Sequence, residues 1–386
     1  MFSGSGKGEI ALDLVRGEPT RYRLTSGLAG IAMEIPSLGW AKPASAQGRL
    51  DVSGVLGQPA SVDALELDAA GLSLSGSVQL SPEGAFQGAS FPAVSIGGWF
   101  DGAVVLTGRG ANQPPAIAVT SGSADLTRVS LGDASRSGAR SGPISVALDQ
   151  IRVSEGIRLT RFRGDFTDEG GLSGRFTGLV NGEAPVTGAM VPMGGKSGFR
   201  VQSQDAGATM RAAGVFTKAR GGTLDLVLQP EGGKGRYAGT VEIETVRVVD
   251  APALAGLLDA ISVVGLIDQL NGPGILFNHA SGKFRMTPDA VEISEGAATG
   301  ASMGISAAGL YRSDTKEIDI QGTISPVYLL NGIGRIVSKK GEGLFGFNYA
   351  MTGPASAPRI KVNPLSILTP GMFREIFRSA PPRIEE

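Results

Sequence analysis

The sequence predicts a mainly β protein built from many short antiparallel strands with a few short helices. Three observations carry that prediction. Glycine supplies 59 of the 386 residues, twice the usual ~7%, and the glycines follow no G-X-Y period. Apolar residues make up 41% of the chain, enough for a packed structure and too many for a disordered one. Those apolar residues fall in short runs that alternate with polar ones, as in a strand with one face buried and one face wet.

Taken in order, GEIALDLV places Ile10, Leu12 and Leu14 on one face. GRLDVSGVLG gives Leu50 and Val52 before Gly54, and GLSLSGSVQL gives Leu72, Leu74, Val78 and Leu80 around Gly76. AVVLTG, IAVTSG, LTRFRGDF, LSGRFTG, GFRVQSQ, TLDLVL and YAGTVEIETVRV continue the series to Val248. Spacings of roughly 8–14 residues between runs are those of hairpins, so residues 1–249 read as one continuous repetitive sheet region. Gly54, Gly76, Gly164, Gly174 and Gly239 lie inside these runs, where they mark either bends and bulges or turns.

The pattern changes at residue 250, which opens a second region over 250–386. Asp250 is a candidate helix cap with Pro252 in the first turn, and Leu254, Leu257, Leu258, Ile261, Val264, Ile267 and Leu270 follow helical spacing. One amphipathic helix is therefore expected over 251–270, ended by Asn271-Gly272-Pro273-Gly274. Shorter helices are expected over 328–338 and 370–377. GILFN, GKFRM, AVEIS, MGISAAGLY, EIDIQGTI and FGFNYAMTG supply further strands.

Composition excludes several functions. With 35 basic and 36 acidic residues and no basic stripe, electrostatic capture of nucleic acid is not expected. The absence of cysteine excludes disulfides and thiolate metal sites. The most apolar window, 251–270, carries Asp259 and Asp268 and is no membrane span. The first residues lack the apolar core of a signal peptide, so the chain reads either as cytoplasmic or as the tail of a longer one.

Short catalytic motifs fail in context. Gly341 to Gly346 matches G-x-G-x-x-G, but a helix is expected before it and a strand after it, the reverse of a dinucleotide site. Gly300-Ala-Ser302-Met-Gly304 matches the nucleophile elbow, but the single histidine, His279, precedes it and a strand follows. Met190 stands where a phosphate loop ending at Lys196-Ser197 needs glycine. His279 alone builds neither a relay nor a histidine metal site, and reads as a polar residue at a strand end. No catalytic residue, metal ligand or cofactor is expected.

The apolar face remains. Its candidates in the last third are Ile275, Phe277, Phe284, Met286, Val291, Ile293, Ile318, Ile320, Leu344 and Phe347. Pattern alone allows two arrangements. A sandwich would bury these residues under a second sheet and is the commoner solution, while a curled single sheet would leave them lining a trough.

The pieces QGTISPVYLLN and YAMTGPASAPRIKVNPLSILTPGMFREIF, over 321–331 and 349–377, resemble the C-terminal region of the AsmA-like envelope proteins, the second piece being similar to the alphaproteobacterial type. The resemblance covers about residues 240–378 and is stylistic upstream. It implies an elongated, curled antiparallel sheet whose concave side is a hydrophobic groove. It further implies a non-enzymatic periplasmic bridge segment that binds phospholipid acyl chains and helps move phospholipid between inner and outer membranes. The implied anchor is an N-terminal helix in the inner membrane, outside this chain. Helix 251–270 would then cap or plug the sheet. Two alternatives stand beside this reading: an assembly factor that binds outer-membrane protein chains by strand addition, and a surface β-solenoid adhesin.

Overall fold

The structure is a computed structural model that describes residues 2–35, 40–57, 60–129, 142–168, 172–193, 196–233, 235–326, 346–368 and 381–384. The protein is mainly β, as its alternation predicts. It forms two compact units, Met1–Gly182 with Gly188–Ser197, and Glu183–Thr187 with Gly198–Glu386.

The first unit contains β1 (Phe2–Gly4), β2 (Gly8–Asp13), β3 (Thr20–Ser26), β4 (Ile31–Ile35), β5 (Trp40–Lys42), β6 (Gly48–Leu56) and β7 (Ser61–Ala69). It continues with β8 (Leu72–Leu80), β9 (Phe86–Ile96), β10 (Phe100–Thr107), β11 (Ala116–Asp125), β12 (Ile144–Ser154), β13 (Ile157–Asp168) and β14 (Leu172–Val180). β15 (Ala184–Met193) gives residues to both units. Each strand from β6 to β14 pairs with the next in sequence, and β2 and β3 extend this ladder through β6. All the pairings are antiparallel except β11 with β12, which is parallel. β1, β4 and β5 form a separate small sheet. There the ammonium of Lys42, 1% exposed, donates to the carbonyls of Leu28 and Ile31 at 2.8 Å each and of Pro43 at 3.3 Å.

β16 (Lys196–Ser203) gives its first two residues to the first unit and the rest to the second, which continues with α1 (Ala206–Ala212), β17 (Ala219–Arg220), β18 (Thr223–Pro230), β19 (Tyr237–Val248), α2 (Pro252–Ala260) and α3 (Val264–Asn271). β20 (Ile275–Met286), β21 (Ala290–Thr299), β22 (Met303–Arg312), β23 (Glu317–Pro326), β24 (Phe347–Pro354) and β25 (Arg359–Asn363) complete it. Its ladder runs β16–β18–β19–β20–β21–β22–β23–β24–β25, antiparallel throughout, with β17 also on β19. Neither ladder closes on itself: among the described pairings β2 bonds only to β3, and β25 only to β24.

Three sequence expectations are refined here. Val248 pairs with Ile275, so the sheet continues across residue 250 and the helices are an excursion between neighbouring strands. The expected helix over 251–270 is two helices. Ser262 adopts φ +57 and ends α2 in a Schellman closure, with its own N–H bonded to the Asp259 carbonyl and that of Val263 to Leu258. Asp250 does not cap: Ala251 is the N-cap and no side chain bonds the first turn. The helices expected over 328–338 and 370–377 lie outside the described residues.

Two strands change the phase of their alternation midway. In β19 both Ile243 and Val246 are buried, although three residues apart, because Thr245 takes φ +58 and turns the chain over. Arg161, at φ +50 in β13, does the same between Leu159 and Phe162. A β-branched or long side chain in the left-handed region carries a strain of order 1–3 kcal/mol, so the surrounding ladder must hold it there.

The strand glycines are seats for rings. Gly239 pairs with Phe284, and a methyl at Gly239 would sit 2.6 Å from Phe284 Cε2. A methyl at Gly76 would meet Phe91 Cδ1 at 2.6 Å, one at Gly164 would meet Phe166 Cε2 at 2.6 Å, and one at Gly322 would meet the Tyr349 hydroxyl at 2.9 Å. Gly174 likewise lies against the Phe166 ring, while Gly54 sits at a register shift, its α-carbon close to the Ser61 carbonyl. The aromatic side chains therefore lie flat along the sheet and cover backbone that glycine leaves bare. Gly239→Ala is expected to cost about 1–3 kcal/mol through overpacking. The urea midpoint should show that loss, and most of it should disappear when the same change is made in Phe284→Ala, where the ring is gone.

Candidate functional site

Register places nine of the ten sequence-predicted residues on one face of the second unit, and Leu344 lies outside the described residues. Phe284 pairs with Ile293, Ile293 with Gly309, Gly309 with Ile320, and Ile320 with Met351. The adjacent row runs Met286, Val291, Tyr311, Ile318 and Gly353. Residues opposed in a ladder point the same way, so these rows form one apolar surface. Ile275 and Phe277 have odd numbers and Phe284 and Met286 even ones. All four share the face because β20 changes phase alongside Thr245, between Phe277 and Ala280.

The face is covered unevenly. Leu257, Leu258 and Leu270 of α2 and α3 are at most 1% exposed and pack into one core with Val246, Val248, Ile275, Phe277, Met303, Ile324 and Tyr349. Ile275 and Phe277, at 0% and 3% exposure, are thus helix-covered core, and Phe347 packs against the same cluster. Phe284, Met286, Val291, Ile293, Ile318 and Ile320 stand outside that cluster, and each is partly exposed. They make a strip two rows wide beyond the helices. Rows two residues apart are separated by about 6.8 Å, and the three strand spacings from β20 to β23 that carry the six residues span about 14 Å, because Met351 and Ile360, which continue the Ile320 row on β24 and β25, pack against the helix-covered core.

The opposite face carries the ion pairs, and on it Glu292 and Leu310 of the β21–β22 pair are buried, with Ile384 N–H donating to Glu292 at 3.1 Å. Arg200 donates to both carboxylate oxygens of Asp225, at 2.9 and 3.1 Å from Nε, and that hydrogen bonding holds the Asp225 carboxyl below its usual range. Arg285 Nε lies 2.8 Å from Glu231, and Lys283 lies 2.9 Å from Glu295. His279 sits inside β20 rather than at a strand end, with Nδ1 2.7 Å from Glu244 and Nε2 3.1 Å from Glu242. Its two nitrogens face different carboxylates, so the trio does not converge on one point. Alternation of oily and paired-ionic side chains thus separates a dry face from a wet one.

Ser302 lies in the hairpin turn between β21 and β22, where Gly300 N–H bonds the Met303 carbonyl at 2.8 Å, so no helix follows it as a nucleophile elbow requires. Strand β16 begins at Lys196, again without a helix.

Two features escaped the sequence reading. The first unit has its own in-register apolar row, Val62, Val78, Ala89, Leu106, Ile117 and Ile144, all but Ala89 partly exposed. Its signal was the same alternation that marked the strands, but the candidate list was confined to the last third. The second is a buried polar cluster behind β23 and β24, where Thr323 Oγ1 donates to Asn348 Oδ1 at 2.9 Å and Asn348 N–H to Ser366 at 2.8 Å. A concavity in the first unit is lined by Lys7, Glu9, Arg23, Arg49 and Asp51, with Arg23 and Asp51 paired.

Comparison with family models, curated proteins and solved structures gave no match.

The uneven cover has a measurable consequence. Leu258→Ala should cost about 2–5 kcal/mol, the range for a filled core position, whereas Ile320→Ala on the strip should cost about 1 kcal/mol or less. Urea midpoints of the two variants check this, and equal losses would mean that the strip is packed as tightly as the core.

Proposed function

We propose that this chain is a non-enzymatic lipid-binding segment of an envelope bridge protein, working in the periplasm and holding phospholipid acyl chains on its apolar strip. The observation that carries this reading is the set Phe284, Met286, Val291, Ile293, Ile318 and Ile320, in register on one face and left partly exposed beside a fully packed core. The resemblance of residues 240–378 to the AsmA-like proteins supports the same reading and supplies its setting, with inner and outer membranes engaged through regions partly outside this chain.

The physics requires little else. Each CH₂ exposed to water costs about 0.8 kcal/mol, so a chain of roughly sixteen carbons leaving a bilayer faces a barrier on the order of 10 kcal/mol. One leaflet of hydrocarbon is about 15 Å thick, and a strip of about 14 Å from β20 to β23 matches that length for a tail lying across the strands. Such a surface grips by area alone, so the tail slides while the headgroup stays in water. Bond-making chemistry has no part in this.

One observation favours strand addition as a second reading. All six residues of β2 are exposed, Ile10 at 61% and Leu12 at 51%, and its outer edge has no partner among the described residues. An incoming extended chain would bond there.

Organic extraction of the purified protein followed by mass spectrometry separates the two. The lipid reading predicts co-purifying phospholipid. Phe284→Asp and Ile320→Asp should each cut it at least tenfold, since an unpaired carboxylate beside a tail costs more than ~1.4 kcal/mol. Unchanged retention in variants with wild-type circular dichroism would remove these positions from the site. Peptide without lipid would favour β2 and strand addition.

A further inference from the structure

The outer row of the strip is not purely hydrocarbon. On the side away from α2 and α3 the register runs Pro230, Tyr237, Met286, Val291, Tyr311, Ile318 and Gly353. Tyr237 and Tyr311 are its two hydroxyl-bearing members. Their rings are partly buried, and Tyr237 packs edge-on against Phe199 with centroids 6.1 Å apart. Neither hydroxyl has a hydrogen-bond partner among the described residues, whereas Tyr22 donates to the Ser61 carbonyl and Tyr349 to the Ser306 carbonyl. A tyrosine with its ring in an apolar layer and its hydroxyl unpaired at the rim is placed for a ligand that changes from oily to polar at that line.

The charges just beyond the row do not select a headgroup. Among the described turn residues that border the row from β19 to β23, Arg236 and Lys316 are matched in number by Asp289 and Asp314, all of them exposed, and Arg359 lies against Gly353 at the far end of the row from Tyr237. The specific donors at the margin are therefore the neutral phenols, and burial pushes the Tyr237 phenol up, keeping it protonated at neutral pH.

We infer that Tyr237 and Tyr311 form the polar margin of the acyl strip and donate hydrogen bonds to the ester carbonyls of a glycerolipid, so that the strip prefers acyl esters to ether-linked lipids. The inference rests on the acyl-chain reading above. The two tyrosines are three strand spacings apart, about 14 Å, so they address successive lipids along the strip rather than the two esters of one.

Titration calorimetry on the purified full chain tests this with dioctanoyl phosphatidylcholine and its dioctyl ether analogue, which share headgroup and chain length. Wild type should bind the ester more tightly. Tyr237→Phe and Tyr311→Phe should each weaken the ester by about fivefold at the affected site, the worth of one neutral hydrogen bond, and leave the ether unchanged. Equal wild-type affinity for the two lipids, or the same loss for both in the variants, overturns the ester assignment while leaving the strip intact. If wild type binds neither lipid, the acyl reading fails and this inference fails with it. Loss of a hydroxyl from a partly exposed ring keeps the packing surface, and circular dichroism verifies that the variants fold.

Discussion

A sheet satisfies its own backbone but cannot cover its own apolar face, and that constraint governs the second unit. Every strand from β18 to β24 has hydrogen-bonded neighbours on both sides, so the ladder needs no second layer for its peptide groups. The aliphatic side chains do need one. α2 and α3 supply it for the rows near Ile275, Met303 and Ile324 and for Met351 and Ile360 at the far end of the Ile320 row, and leave Ile320, Ile318 and their partners on β20 to β22 outside that core. The core under the helices packs that part of the sheet tightly, and the six strip residues stay partly exposed beside it.

The ring-on-glycine contacts fit the same logic. Phe284 over Gly239 and Tyr349 beside Gly322 lay broad apolar area flat along the sheet. Upright rings would have filled the strip with protein. Glycine in a strand interior loses packing and gains flexibility in the unfolded chain, which is unfavourable alone. Beneath an aromatic ring the loss is offset by contact with the ring. Part of the high glycine content thus serves these ring contacts, beside the nineteen described glycines with positive φ.

Much of this was legible in the sequence. Period-two alternation marked the strands because each has one wet face, and the ion pairs around Arg200, Lys283 and Arg285 populate that face as expected. The shared face was legible at the level of residues: Phe284, Met286, Val291, Ile293, Ile318 and Ile320 were all named from alternation. Their division from Ile275 and Phe277 was not, because helical cover is a long-range contact that leaves no mark in local pattern. The phase changes at Thr245 and Arg161 were hidden for a related reason, since neither residue type signals positive φ. The helix break at Ser262 was missed because apolar spacing continues through it, and only the backbone turns aside.

If the strip holds lipid, its six residues contact hydrocarbon in the working protein and the helix-covered residues do not. A photoreactive diazirine side chain at position 320, compared with one at position 324, reads that contact directly in protein illuminated inside cells and digested for mass spectrometry. Position 320 should give peptides carrying the mass of a phospholipid or its acyl chain, and position 324, buried under the helices, should give only internal cross-links. Lipid adducts absent at 320, or equally abundant at both positions, would contradict the account.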